Sequence, residues 1–144
     1  MKMLLRTLAA AALLAGPAFA QDAVVFDYDG SFEDANFAVE SAIVGRGLVV
    51  DYVSHVGEML ARTGADVGSD ITLFDGANAY LFCSAVVSRQ VMEADPMNVA
   101  QCPYSVFVTD QAGKVSIGYR RMESESLAPV QELLNAIATE AVGN

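Results

Sequence analysis

Four residues carry side chains that bind soft metal ions. His55 and Met59 are four positions apart, so in a helix an imidazole and a thioether would project from the same face. Cys83 and Cys102 add two thiols, and such mixtures of nitrogen and sulfur donors suit copper, especially Cu(I), or a His/Met axial pair on haem. The sequence therefore predicts a metal site formed by His55, Met59, Cys83 and Cys102, with Met92 or Met97 as further donors. The structural alternative is that His55 borders a helix while the methionines fill the core or a dimer surface.

Cys83 and Cys102 are the only two cysteines, and each stands beside a predicted strand. In an exported chain this count favours an intramolecular disulfide, which would close a loop of roughly 20 residues and stabilise the fold by ~3 kcal/mol. Two further interpretations stay open. The sulfurs could be buried thiols that act as small apolar groups, or they could take part in redox or metal chemistry.

Recognisable catalytic signatures are absent from the sequence. It contains no G-x-S-x-G, P-loop, G-x-G-x-x-G, C-x-x-C or H-E-x-x-H motif, and without C-x-x-C-H a covalently attached c-type haem is excluded. Arg120 and Arg121 could together bind a carboxylate or an oxyanion, but surface ion pairs explain these residues and Arg89 more simply in an acidic chain. We therefore expect a protein that is not an enzyme.

The first twenty residues have the pattern of a secretory signal peptide. Lys2 and Arg6 precede a short apolar run, Leu8 to Ala15, and Ala18-Phe19-Ala20 offers small residues for cleavage after Ala20. We expect residues 1–20 to be removed and residues 21–144 to form one domain, soluble in the periplasm or secreted.

Charge restricts the partners of this chain. The 144 residues carry a formal net charge of −10, and loss of residues 1–20 leaves 6 basic and 18 acidic residues, a net charge of −12. So few basic groups argue against binding to nucleic acid or to anionic membrane surfaces.

Hydrophobic periodicity predicts nine elements in the order β-α-β-α-β-α-β-β-α, which favours an α+β two-layer sandwich with a mixed sheet. Ser31 and Ser84 are expected to cap the first and third helices. Between Asp70 and Ala79, residue types typical of strands stand next to residue types typical of turns, so no single element is predicted there. The predicted strands are Ala23 to Tyr28, Leu48 to Ser54, Tyr80 to Cys83, Tyr104 to Thr109 and Lys114 to Tyr119. The predicted helices are Ser31 to Arg46, His55 to Arg62, Ala85 to Glu93 and Leu127 to Ala138.

Three stretches resemble the bacterial domain of unknown function 302 family. They are Ser31-Phe32-Glu33-Asp34 with Ile43-Val44-Gly45-Arg46-Gly47-Leu48, then Phe82-Cys83-Ser84, and then Cys102-Pro103-Tyr104-Ser105-Val106-Phe107-Val108. Many members of the family have a segment like Asn-Pro where this chain has Ser84-Ala85. Many also have Leu-Pro-Cys or Leu-Pro-Leu where this chain has Cys102-Pro103. The resemblance implies a small α+β homodimer and assigns no reaction.

Two functional hypotheses follow from these patterns. The first is an exported accessory protein that binds a small ligand, a soft metal such as copper, or a partner protein, and it requires His55, Met59 and at least one cysteine to converge. The second is a thiol-dependent redox or sulfur-transfer enzyme that uses Cys83 or Cys102, with Arg120 or His55 lowering the thiol pKa.

Overall fold

The computed structural model describes residues 22–143, so the predicted signal peptide lies outside the described residues. The strands are β1 (Ala23–Asp27), β2 (Val50–Ser54), β3 (Gly76–Phe82), β4 (Tyr104–Gln111) and β5 (Lys114–Arg120). The helices are α1 (Phe32–Val44), α2 (Val56–Thr63), α3 (Ala85–Ala94) and α4 (Ala128–Ala141). Short 3-10 helices occur at Ala65–Val67, Pro96–Gln101 and Glu125–Leu127. No helix within residues 22–143 is long and apolar enough to cross a membrane.

The strands form one sheet in the order β1-β5-β4-β3-β2. Every pair of neighbouring strands is antiparallel, so the α+β class is confirmed while the expected mixed sheet is corrected. The first two strands lie at opposite edges of the sheet, because α1 carries the chain across the sheet before β2 begins. Only β4 and β5 are joined by a short hairpin turn, whereas helices α2 and α3 lie in the longer connections from β2 to β3 and from β3 to β4.

Helices α1 and α4 pack on one face of the sheet and on each other. The sequence places Ala35, Val39, Ala42 and Ile43 on the buried face of α1, at the 3.6-residue spacing that predicted this helix. Residues of alternate positions along the strands complete this core: Tyr80, Phe82, Tyr104, Val106, Val108, Ile117 and Tyr119. The opposite face of the sheet carries the intervening residues.

Two serine caps fix where helices begin. The Ser31 hydroxyl accepts a hydrogen bond from the Asp34 N–H at 3.0 Å, and the Ser84 hydroxyl accepts one from the Val87 N–H at 3.3 Å. Each cap satisfies an amide that the first helical turn leaves unpaired. Both predicted caps are confirmed, and Ser84 sets the direction of the chain directly after Cys83.

Strand β3 begins at Gly76, earlier than the predicted Tyr80. Gly76 and Asn78 indicate a turn by residue type, yet tertiary contacts hold both in the strand. A Cβ at Gly76 would lie 2.7 Å from Cε1 of Phe32, so the missing side chain allows the Phe32 ring to pack on the strand. The Asn78 side chain is part of a hydrogen-bonded network with α1.

Candidate functional site

Cys83 and Cys102 lie past the same end of the β3–β4 pair. Phe82, the last residue of β3, pairs with Tyr104, the first residue of β4, so the two flanking cysteines are neighbours beyond the ladder. The Cys102–Pro103 peptide bond is cis. Cys83 is exposed and Cys102 is half-buried, and both are free thiols in the structure rather than the predicted disulfide.

The surroundings of Cys83 favour the protonated thiol. Desolvation, the neighbouring Cys102 thiol and the Asp51 carboxylate together raise the pKa of Cys83 to about 11. All of these influences act in the same direction, because burial and nearby negative groups both disfavour a thiolate. A nucleophilic cysteine requires surroundings that stabilise the thiolate, and the raised pKa shows the opposite balance although Cys83 directly precedes the N-cap of α3.

Asp51 reaches Cys83 because of an irregularity in β2. Val50 pairs with Phe82 and Tyr52 with Leu81, so Asp51 is an extra residue in the ladder. A bulge of this kind redirects a side chain that would otherwise alternate with its neighbours. Asp51 was not predicted as a site residue, since a bulge depends on the register between two strands and produces no pattern in the local sequence.

A chain of hydroxyl groups continues from Cys102 into the helix layer. The Ser88 hydroxyl lies 3.5 Å from the Cys102 Sγ and 3.1 Å from the Tyr104 hydroxyl. Burial is the largest cause that raises the pKa of Tyr104 to about 12, and the hydrogen bond from Ser88 opposes it. Sequence reasoning also missed Ser88, although its position four residues after the Ser84 cap places it on the start of α3.

His55 lies at the other end of β2. Ser54 pairs with Ala79 whereas Val50 pairs with Phe82, so the length of β2, about 15 Å at the usual rise per residue, separates His55 from Cys83. The Nδ1 atom of His55 lies 2.9 Å from Oδ1 of Asn78. Met59 follows one turn later on α2 and is 42% exposed.

The predicted single metal centre is wrong, because Cys83 and Cys102 lie together while His55 and Met59 lie past the other end of β2, so the convergence that the first hypothesis required does not occur. Antiparallel pairing is the physical reason, because it sends the residue after β2 and the residue after β3 to opposite ends of the sheet. Within residues 22–143, no three His, Cys, Asp or Glu side chains cluster so as to hold a metal ion. Met92 packs against the core, and Met97 is exposed at 70%.

The basic residues named from the sequence lie elsewhere. Arg89 forms an ion pair with Glu93 one turn later on α3, at 2.6 Å. Arg120 and Arg121 border a surface cleft of about 470 Å³ together with Asp22 and Glu123. None of these residues is among the groups that alter the pKa of Cys83.

Comparison with known proteins gives the family. The family model described as "Domain of unknown function DUF302" matches residues 24–143. The chain belongs to the DUF302 family. This confirms the resemblance drawn from the sequence motifs, and the matched range includes both cysteines, His55 and Met59.

A solved DUF302 protein shares the fold. The crystal structure of an uncharacterized conserved DUF302 protein from Bacillus stearothermophilus superposes with a TM-score of 0.69 at 16% sequence identity. The superposition covers 85% of this chain and 99% of that one. No curated protein matches the chain, so the residues themselves must carry any functional argument.

Proposed function

We propose that this DUF302 protein is a non-enzymatic, exported binding protein that takes up Cu(I) between Cys83 and Cys102. The observation that carries the proposal is the juxtaposition of two thiols at one end of the β3–β4 pair, one of them exposed. Two thiolates satisfy the preference of Cu(I) for soft sulfur donors and for low coordination numbers. The dithiol site, defined as these two residues, needs no third protein ligand.

The high pKa of Cys83 favours metal binding over thiol catalysis. At neutral pH the thiol is almost wholly protonated, so attack on a disulfide or a sulfur donor would be slow. A soft metal ion can displace both protons because the metal–sulfur bonds replace them. The alternative, a redox or sulfur-transfer enzyme, would need a cation beside the sulfur, and Cys83 instead has Asp51.

Charge and export are consistent with a cation-binding role. The net charge of −12 expected after removal of residues 1–20 raises the local concentration of cations around the protein. We propose that residues 1–20 direct export to the periplasm, where the mature chain meets metal ions outside the cytoplasmic thiol pool.

The test is an anaerobic Cu(I) titration of the reduced mature chain against a chromophoric Cu(I) chelator. We expect the affinity of the tightest Cu(I) site to fall at least about 100-fold in Cys83→Ser and in Cys102→Ser, since each removes one of two thiolate ligands. His55→Ala is the matched control, because it removes a soft ligand from the other end of β2, and it should keep the tight site. Equal binding by the serine variants would refute the proposal.

We also propose that two copies associate through the sheet face opposite the helices. On that face Val25 is 44% exposed and Tyr52 is 64% exposed, and Phe107 covers Gly118. The middle of the face is uncharged, in contrast to the acidic remainder of the chain. Two highly acidic copies would meet there with the least repulsion.

A further inference from the structure

A polar network connects α1, β3 and the residue that precedes α2. The Asn36 Nδ2 donates to the Phe32 carbonyl at 2.6 Å, and the Asn36 Oδ1 accepts from the Asn78 Nδ2 and from the Tyr80 hydroxyl, each at 2.8 Å. The Asn78 Oδ1 lies 2.9 Å from Nδ1 of His55. Asn36 and Asn78 are half-buried, Tyr80 is buried and His55 is exposed.

The Phe32 carbonyl determines which group donates and which accepts in each hydrogen bond from Asn36 to His55. A backbone carbonyl can only accept, so the amide nitrogen of Asn36 must face Phe32 and its oxygen must face Asn78. The amide nitrogen of Asn78 must then face Asn36, which turns the oxygen of Asn78 towards the imidazole. Because that oxygen carries no proton, Nδ1 of His55 must be the donor.

The consequence concerns the other nitrogen of the ring. A neutral imidazole with its proton on Nδ1 has a lone pair on Nε2, and in water the opposite tautomer is favoured. Histidines that bind metals through Nε2 commonly donate Nδ1–H to an oxygen that fixes the tautomer and the ring orientation. The hydrogen bonds from Phe32 through Asn36 to Asn78 provide such an oxygen to Nδ1 of the exposed His55.

We propose that His55 and Met59 form a second Cu(I) site, bound through Nε2 of His55 and Sδ of Met59. Met59 lies one turn after His55, with its N–H bonded to the His55 carbonyl at 3.1 Å. The Thr63 hydroxyl donates to the Met59 carbonyl at 2.8 Å and lies 3.9 Å from Met59 Sδ, so the Met59 side chain must change rotamer to bring its sulfur to the His55 ring. An imidazole with a thioether matches the donor preference of copper, and this site is independent of the dithiol site.

The tautomer is tested first, on the unmodified mature chain without metal. Long-range ¹H–¹⁵N spectra recorded about two units above the ordinary imidazole pKa, at pH ~8.5, should show a protonated Nδ1 and an unprotonated Nε2. In Asn78→Ala the signals should move towards the opposite tautomer. A protonated Nε2 in the unmodified chain would overturn the inference.

Metal binding is tested in the Cys83→Ser/Cys102→Ser double variant, so that failure of the dithiol site cannot affect the result. Cu(I) supplied as its acetonitrile complex should shift the Nε2 signal of His55 and the methyl signal of Met59. The exposed Met97 methyl serves as the matched control and should not shift.

Affinity distinguishes a site from chance binding to an exposed histidine. Met59→Leu and Asn78→Ala should each weaken Cu(I) binding by about tenfold, because a neutral thioether binds more weakly than a thiolate and because Asn78 only orients the imidazole. Met97→Leu should leave it unchanged. Equal affinity in Met59→Leu and Met97→Leu, or an unshifted His55 signal at saturating Cu(I), would overturn the site.

Discussion

Single residues decide which chemistry each sulfur can perform. Cys83 is exposed, and exposure alone would indicate a reactive thiol. Its surroundings reverse that expectation, since desolvation first, and then Cys102 and Asp51, raise the pKa of the thiol and favour the protonated form. Exposure of the residue therefore does not by itself make the Cys83 thiol reactive.

The raised pKa predicts a specific pH dependence of alkylation. Because the thiolate is the nucleophile, the rate at which iodoacetamide modifies Cys83 should rise about tenfold per pH unit and level off only near the pKa of about 11. Asp51→Asn removes one of the groups that raise the pKa, so it should speed the reaction at pH ~8. Peptide mass spectrometry after timed quenching measures the rate at each cysteine.

The control for this prediction is Asp66→Asn, which neutralises an exposed acid in the 3-10 helix after α2 and should leave the rate unchanged. A fast reaction at neutral pH would contradict the protonated thiol and would favour the redox or sulfur-transfer alternative.

Helices and strands place these residues, and several of their boundaries followed from local patterns. Ser31 and Ser84 are caps because a short hydroxyl can satisfy a first-turn amide, which is a local property. The β4–β5 hairpin, Tyr104–Gln111 with Lys114–Arg120, was equally local, because a turn containing Gly113 joins two alternating segments.

Other features of the same elements depend on contacts between residues far apart in the chain, so they could not be predicted from the sequence. Gly76 lies in β3 because Phe32, 44 positions earlier, packs where a Cβ would be. The bulge at Asp51 depends on the β2–β3 register. The prediction that His55 lies close to the cysteines was wrong for a similar reason. Residue types identify possible ligands, but the antiparallel strands place these ligands at opposite ends of the sheet.

The contact between Gly76 and Phe32 makes a prediction about stability. Gly76→Ala would bring the new methyl to 2.7 Å from the Phe32 ring, so the ring or the strand must shift. We expect a loss of about 1–3 kcal/mol in the free energy of unfolding, the usual cost of overpacking. Urea denaturation followed by circular dichroism measures this loss.

A second substitution separates a clash from a loss of backbone freedom. Phe32→Leu shortens the side chain that meets the methyl, so Gly76→Ala should cost less in the Phe32→Leu background than in the unmodified chain. An equal cost in both backgrounds would show that the ring is not the cause.

At the scale of the whole molecule, α1 and α4 cover one face of the sheet, while Val25 and Tyr52 are exposed on the opposite face. Five strands about 4.8 Å apart and five to eight residues long present a face of roughly 400–500 Å². Standard interfaces bury about 800 Å² per partner, so even complete use of this face gives an interface below the standard size, in the range of weak and transient contacts. The proposed homodimer should therefore depend on concentration.

Light scattering coupled to size-exclusion chromatography can test this assembly. The mature chain should approach the dimer mass as its concentration rises. Val25→Glu and Tyr52→Glu should each shift the equilibrium to the monomer, because each would bury a carboxylate in the interface without a partner. Val86→Glu is the matched control, since Val86 is 78% exposed on α3 in the helix layer. A dimer that persists in Val25→Glu and Tyr52→Glu but dissociates in Val86→Glu would place the interface on the helices and refute the use of the open sheet face.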